Sequence, residues 1–564
     1  MDFYQEIVSE IKKKKPSKAV LNKLKNKLCN KYNLKRIPTD IEILLHADDK
    51  DVDKVKRFLQ AKPTRTISGV AVVAVMTKPM KCPHGKCITC PGGVDSPFGS
   101  VPQSYTGKEP ATRRAIRNNY DPYLQVMNRL EQYVVSGHVP DKVELILMGG
   151  TFPSFPKRYQ EDFVKYSFKA MNDFSKMFFK KGKFDFVKFK RFFELPGDIN
   201  SKEREVSLLK KYQRLRQTKL SLETIQNQNE KSNIKCIGLT IETRPDYGKL
   251  KHGNEMLRLG ATRVELGIQT IYDDVLERIE RGHTVEDSIK SIKALKDLGF
   301  KLNFHMMLGL PGVTPKMDLN ALASLFLFED FQPDMLKLYP CMVLKGTKLY
   351  DIWKKKKFKP LTTKAAADII AEFKEFVPEY CRIMRVQRDI PTFMTEAGVD
   401  KTNLRQYVDK VMKEKGYECH CIRCREIGQQ MKGKRKLDLK KVSIETINYS
   451  ASGGNEFFIQ ATAGEALLGF CRLRIPYEFL RKEITEDSAL LRELHVYGPA
   501  VAIGKKGEVQ HKGLGKKLLL KAEDIAKTYY KKKMVVISGI GARDYYRKLG
   551  YRREGPYMVK QLSR

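Results

Sequence analysis

Between residues 66 and 345, short apolar runs alternate with longer amphipathic stretches. The runs are VAVVAVM (70–76), ELILMGG (144–150), IKCIGLTIET (234–243), RVELGIQT (263–270), KLNFHMMLGLP (301–311) and MLKLYPCMV (335–343). Six strand-length runs separated by helical stretches predict parallel strands joined by crossover helices, an α/β partial (β/α)6 barrel. Polar residues sit at the C-terminal strand ends: Thr151, Glu242, Arg244, Gln269 and His305. Barrels present ligand-binding groups at that end.

The pattern changes after residue 441. Strand-like runs FFIQATA (457–463), LLGFCRLRIP (467–476) and LLRELHVYG (490–498) predict a β-meander. A helix opened by QHKGLGK (510–516) follows, then a strand VVISGIG (535–541) and a short helix bearing Tyr545 and Tyr546. The expected domains are a basic helical region (1–65), the barrel (66–345), a linker (346–440) and the meander unit (441–564). One barrel interval, about 155–233, is too long for a crossover. Within it, residues 174–193 hold eight Phe and seven Lys or Arg. Such a mixture could stack bases, but packing of an inserted helical element on the barrel is the preferred reading.

Charge adds a partner. The 564 residues carry 106 Lys plus Arg against 66 Asp plus Glu, a formal net charge of +40. That excess predicts attraction to a polyanion, RNA or DNA before a membrane surface. Residues 11–36 contain eleven Lys or Arg and no acid. They are a candidate nucleic-acid contact or simply a solvated helix face; charge reversal at Lys12 to Lys15 is expected to weaken RNA binding and spare the core. No apolar run approaches membrane-spanning length, and the first residues have no signal-peptide core. A cytoplasmic protein without a membrane partner is expected. The 11 cysteines are clustered, as for metal binding in a reducing compartment.

Two motifs carry chemistry. Cys82, Cys87 and Cys90 follow the first strand with spacing C-x4-C-x2-C. Three close thiolates without a fourth suit a 4Fe–4S cluster with one iron open to a small molecule; a zinc site with a distant fourth ligand is the alternative. A second group, Cys419, Cys421 and Cys424, reads as a structural zinc knot, with His420 or Cys381 as fourth ligand. The other motif is Q-x-x-G-x-G at a helix start, Gln510, Gly513 and Gly515, a phosphate cradle. Its place after a meander indicates an acetyl-CoA-dependent GNAT-type acyltransferase. The preceding strand would offer backbone groups to the pantetheine arm, and Tyr545 or Tyr546 would orient the thioester or protonate the leaving thiolate.

Taken in order, CPHGKCITCPGG, MGGTFPS, IGLTIETRPDYG, LGIQT, RGHT, LKLYP, RVQRDIP, ELHVYG, QHKGLG, YYRKLGY and EGPYMVK resemble the catalytic acetyltransferase subunit of Elongator, over nearly the whole chain. The resemblance implies a radical S-adenosylmethionine barrel fused to a GNAT-like domain, acting on the wobble uridine, position 34, of tRNA. It implies the cluster on Cys82, Cys87 and Cys90, with S-adenosylmethionine on its open iron. Gly149, Gly150 and Thr151 resemble a GGE-like strand end that meets the methionine amine, with Thr151 where a Glu is usual. Glu242, Gln269 and His305 face the same mouth. Lys142 matches an acetyl-CoA-contacting lysine. Glu493, Leu494, His495 and Val496, then Leu514, Gly515 and Lys516, and Tyr546, match acetyl-CoA positions. Some family members lack the second cysteine group.

A reason for the fusion follows from the substrate. Uridine C5 is a poor nucleophile, which an ordinary acyltransferase cannot acetylate, whereas a carbon radical can add there. The expected scheme takes a hydrogen from the acetyl-CoA methyl group by a radical derived from S-adenosylmethionine. The resulting carbon radical, on the methylene next to the thioester, adds to C5, and thioester hydrolysis leaves a 5-carboxymethyl group. The anticodon stem-loop, an electron donor and a homodimer or larger complex are the expected partners. The rival functions are a protein lysine acetyltransferase with an idle barrel and a non-catalytic RNA scaffold.

Overall fold

The computed structural model describes residues 2–59, 69–197, 201–430, 441–497 and 513–563. A seven-stranded all-parallel sheet curls into a half-barrel: β1 (Ala71–Met76), β2 (Lys142–Met148), β3 (Lys235–Thr243), β4 (Arg263–Gln269), β5 (Lys301–Leu308), β6 (Met335–Pro340) and β7 (Arg382–Arg385), in sequential order. All six expected runs are strands. The seventh, RIMR, is too short and too charged to stand out as an apolar run; it pairs in parallel with β6.

Strand alternation divides the sheet into two faces. Leu145, Leu147, Leu239, Ile241, Val264, Leu266, Leu302, Phe304, Leu336 and Leu338 are buried in the main core beneath the crossover helices. The opposite, concave face carries Glu144, Thr240, Glu242, Arg263, Glu265, Asn303, His305 and Lys337, neighbours in the strand register. A charged concave face departs from the apolar filling of an ordinary closed barrel.

The long interval forms a helix, Lys157–Phe178, followed by a small ribbon and three more helices. Its phenylalanines are packing groups: Phe174, Phe178, Phe189 and Phe193 are fully buried against one another, with centroids 4.6–6.2 Å apart. The base-stacking alternative is therefore not met at these four rings. Four helices precede the barrel (Phe3–Lys14, Lys18–Lys31, Asp40–His46, Val52–Leu59), opened by Asp2, Ser17 and Thr39 caps. Here the expected independence of Lys12 from the core fails. Its ammonium is 2.7 Å from the buried Asp51 carboxylate, whereas Lys13 and Lys15 are exposed without an ion-pair partner among the described residues.

The C-terminal sheet has strands β8 (Ser443–Ala451), β9 (Gly454–Ala463), β10 (Ala466–Ile475), β11 (Ser488–Val496), β12 (Lys533–Val536), β13 (Arg552–Glu554) and β14 (Tyr557–Gln561), in order β8-β9-β10-β11-β12-β14-β13. The helix Leu514–Thr528 packs on β9, β10 and β11. The expected strand 535–541 is cut to Lys533–Val536. At Gly539 the chain presses onto the barrel so closely that a Cβ would lie 2.0 Å from the Ile237 carbonyl oxygen. The sheet ends early because this segment docks on β3.

That docking is extensive and ionic. Arg492 and Arg472 reach Asp334 (2.6 and 3.4 Å), Arg474 reaches Asp297 (2.7 Å), and Arg543 reaches Glu230 (3.0 Å). Asp297, Asp334 and Glu230 all precede barrel strands, so the C-terminal unit caps the N-terminal ends of β3, β5 and β6. No described helix is long and apolar enough to cross a membrane.

Candidate active sites at the two ends of the barrel

The first site lies where β1 and β2 end. Cys82, Cys87 and Cys90 occupy the loop after β1. The Ser104 N–H donates to the Cys90 sulfur (3.2 Å), Arg281 Nη1 to the Cys87 sulfur (3.6 Å), and Thr151 Oγ1 lies 3.6 Å from the Cys82 sulfur. Burial pushes the Cys82 and Cys90 thiols up, so they favour the protonated form until a cation replaces the proton. Three thiols in one loop, with N–H donors aimed at two of the sulfurs, fit an iron–sulfur cluster. The Gly149–Gly150 turn needs its glycines. Both have positive φ (+109° and +71°), and a Cβ on Gly149 would sit 2.5 Å from Thr77 Oγ1. Thr77 Oγ1 in turn donates to the Gly149 carbonyl (2.9 Å) and locks the turn beside the cysteine loop.

A cavity of about 480 Å³ opens from these residues over the concave face. Its walls include Cys82, Gly150, Thr151, Glu242, Gln269 and His305, so six of the expected mouth residues line one space. Gln269 holds φ +74°, a strained value for a non-glycine residue of the kind that binding sites retain. Glu242 accepts from Tyr105 (3.2 Å) and Lys337 (3.4 Å). His305 lies one layer deeper, 2.8 Å from Glu265, which also pairs with Lys337. Burial and the Lys337 charge lower the His305 pKa, leaving a neutral ring.

Sequence reading missed Tyr105, Glu265, Arg281 and Lys337. A signal existed for two of them: a charge inside an apolar strand, as in RVELGIQ and MLKLYP, marks a polar concave face. Tyr105 and Arg281 come from loops, where no periodicity points at a site.

The second site lies in the C-terminal unit. Along β11, pairing with β12 covers only Ser488–Leu491, so the two strands diverge beyond Leu491. The helix N-terminus enters the resulting notch: Gly513 (φ +80°), Leu514, Gly515 and Lys516. A Cβ on Gly515 would lie 2.9 Å from the Tyr545 hydroxyl and 3.6 Å from Val496 Cγ2, so these three residues meet at the notch. Tyr545 is 40% exposed, but Tyr546 is buried beside Tyr551, ring centroids 5.7 Å apart. Of the two tyrosines, only Tyr545 faces the notch. Glu493 is committed to Arg472 and Lys301 (3.6 Å), leaving its backbone and not its carboxylate for a ligand. Burial lowers His495 to about 4, and it packs on Tyr497 at 4.4 Å. Gln510 lies outside the described residues.

Lys142 opens β2 at the end opposite the cysteines. Its register neighbour Lys235 is 3.7 Å from Asp544 of the C-terminal unit. Cys419, Cys421 and Cys424 bring their sulfurs within 4.8 Å of one another. Neither His420 nor Cys381 joins that group, so the expected fourth ligands are not met by these side chains as placed.

Together these features define a radical S-adenosylmethionine half-barrel carrying a GNAT acyltransferase unit. Family models agree: the ELP3 N-terminal domain (residues 1–67), the Radical SAM superfamily (79–323), the Radical_SAM C-terminal domain (333–414) and the GNAT acetyltransferase family (429–551). The chain is 46% identical over 93% of its length to the tRNA uridine(34) acetyltransferase of Methanocaldococcus infernus, covering 92% of that protein. It is 39% identical over 96% of its length to Homo sapiens Elongator complex protein 3, covering 93% of it. The solved structure of the M. infernus archaeal Elp3 with an N-terminal deletion superimposes with TM-score 0.72 at 40% identity, covering 88% of this chain and all of that one. The chain belongs to the family of Elongator complex protein 3 and the archaeal tRNA uridine(34) acetyltransferases. Its Radical SAM part implies a 4Fe–4S cluster and S-adenosylmethionine, and its GNAT part implies acetyl-CoA.

Proposed function

We propose that this enzyme modifies wobble uridine 34 of tRNA, drawing on acetyl-CoA and S-adenosylmethionine to build a 5-carboxymethyl group on C5. The observation that carries this reading is the pairing of both sites on one strand. Lys142, Glu144, Ile146 and Met148 alternate onto the concave face of β2, from the GNAT end to the cysteine mouth. At strand rise Lys142 and Met148 lie roughly 20 Å apart. The +40 charge and the name shared by the 46%-identical archaeal relative supply the tRNA.

Cys82, Cys87 and Cys90 hold the cluster in this reading. Gly149, Gly150, Thr151, Glu242, Gln269 and His305 surround S-adenosylmethionine. Bound there, the cofactor pair supplies a carbon-centred radical, the species that C5 accepts. Arg281 and the Ser104 N–H stabilise thiolate charge, and the concave wall positions the base. Lys142, the backbone of Glu493 to Val496, and Leu514 to Lys516 receive acetyl-CoA, with its phosphates on the helix N-terminus. The Tyr545 hydroxyl gives its proton to the departing thiolate. Tyr545→Phe is expected to cut acetyl-CoA turnover by about 100-fold or more, while Tyr546→Phe leaves its rate within about threefold. Equal losses would reject the assignment.

Cys419, Cys421 and Cys424 bind one structural zinc ion in this reading. Their mutual hydrogen bonding pulls Cys421 down and pushes Cys419 up, the behaviour of thiols crowded enough to share one charge. Cys421→Ser is expected to lose one equivalent of zinc by elemental analysis and to lower the unfolding midpoint, with the iron content unchanged. Unaltered zinc would exclude the site.

Acetyl-CoA turnover tests the substrate. The reading requires stimulation by tRNA. Acetylation of lysine peptides without tRNA stimulation would move the enzyme to the protein acetyltransferase class.

A further inference from the structure

Most arginines buried in this protein are paired. Arg472, Arg474, Arg492 and Arg543 each meet a carboxylate within 3.0 Å. Arg114 does not. It is 6% exposed, lines the same cavity as Cys82 and Thr151, and forms no ion pair among the described residues. Its Nη2 donates to the Ala74 carbonyl (2.6 Å), and its Nε is buried without a partner. Glu109, an acid in the same wall, forms no ion pair with it: one carboxylate oxygen accepts from the Thr106 N–H (2.9 Å) and hydroxyl (3.0 Å), and the other is buried without a partner.

Two more arginines lie beside it. Arg129 lines the cavity with its guanidinium 4.4 Å over the Tyr133 ring, and Arg117 is one helical turn beyond Arg114. Neither has a carboxylate among the described residues. Burial, reinforced by repulsion from Arg129 and Arg117, lowers the Arg114 guanidinium to about 10. The fold thus holds like charges together at a cost that an anion would relieve.

A purely structural role would be to cap the open edge of β1, where Arg114 serves the Ala74 carbonyl. The neighbouring edge groups show that a neutral donor suffices. Tyr133 donates to the Val72 carbonyl (2.8 Å), and Gln125 brackets the N–H and carbonyl of Met76 (2.8 and 2.9 Å). A cation at Ala74 exceeds what the edge needs.

We propose that Arg114 and Arg129 form a phosphate site on the cavity wall, with the exposed Arg117 one helical turn away adding its charge, and that it takes a backbone phosphate of the RNA whose base enters the mouth. The assignment rests on the tRNA reading above and names where that substrate is gripped. RNA is favoured over coenzyme A because the coenzyme's phosphates have a cradle of their own at Gly513–Lys516, in the unit that caps the opposite strand ends. The cavity wall beside β1 is also reachable from solvent, with Val72 38% exposed there.

The test is a salt titration of tRNA binding by the full-length, cluster-loaded enzyme as wild type, Arg114→Gln and Arg114→Lys. Gln keeps a donor for the Ala74 carbonyl, and Lys keeps the charge. Arg114→Gln is expected to weaken binding about tenfold and to flatten the slope of log K against log salt by about 0.7, one single-strand phosphate contact. Arg114→Lys should stay within about threefold of wild type. Without RNA, Arg114→Gln should unfold no earlier than wild type, since it removes an uncompensated buried charge. Unchanged affinity and slope in Arg114→Gln would overturn the site, as would equal losses in both variants with lowered stability, which is the signature of an edge cap. Weakened acetyl-CoA binding with RNA affinity intact would reassign the anion to the coenzyme and also overturn it. A wild-type enzyme that binds no RNA would reject the tRNA reading and the site with it.

Discussion

Cys87→Ala is expected to abolish wobble-uridine modification, by more than about a hundredfold, while leaving the protein folded and acetyl-CoA binding intact. Cys87 has two cationic or polarisable neighbours at its sulfur. Arg281 donates to its sulfur and His84 Nε2 lies 3.2 Å away. Removing it deprives a three-thiolate cluster of one corner and leaves the Arg281 charge without its sulfur partner. The folded core does not depend on it, because the loop residue is only partly buried and the notch at Gly515 lies at the other end of the barrel. Iron content, visible absorbance and nucleoside analysis check the expectation together. A variant that retains both the absorbance and full modification would refute the cluster assignment.

The second large effect is structural. Asp334→Asn is expected to cost about 3–5 kcal/mol, the usual penalty for breaking a buried ion pair from one side. Asp334 is fully buried, takes two bonds from Arg492 (2.6 and 2.8 Å) and accepts the Leu302 N–H. Burial alone would raise its carboxyl pKa, but Arg492, Arg472 and Lys296 outweigh burial and hold it well below the usual carboxylate range. The sign follows. A depressed acid contributes stability above its unfolded pKa and loses it only as pH falls through the folded value. The deficit of Asp334→Asn should therefore be constant through the neutral range and shrink only in strong acid. Because Asp334 precedes β6 and Arg492 lies in β11, the loss should appear as release of the GNAT unit, with weaker acetyl-CoA binding and a lower urea midpoint. A midpoint equal to wild type would show that the docking does not depend on this network.

The contrast between these two residues shows what the chain makes legible. The cysteine loop is visible because its chemistry is local: three thiols within nine residues after one apolar run. The strands are visible because burial on the convex face imposes apolar alternation, and the helix-opening glycines because a phosphate cradle is short. Asp334 and Arg492 give no comparable signal, being 158 residues apart. Their partnership exists only once the GNAT unit caps the barrel. The same holds for Arg114, which reads as one more basic residue on an exposed helix until β1 is seen to end the sheet beside it. The choice between Tyr545 and Tyr546 is also tertiary, since adjacent residues on a one-turn helix face different ways and only packing on Tyr551 separates them. The alternation that hid Glu265 and Lys337 among apolar neighbours is the feature that makes the mouth polar.

The most direct test of the central claim is anaerobic incubation of the reconstituted enzyme with tRNA, acetyl-CoA, S-adenosylmethionine and a reductant, followed by nucleoside mass spectrometry. The account predicts 5-carboxymethyluridine at position 34 together with 5′-deoxyadenosine, both absent when either cofactor is omitted. Intact uridine from an enzyme with full iron content and bound acetyl-CoA would contradict it.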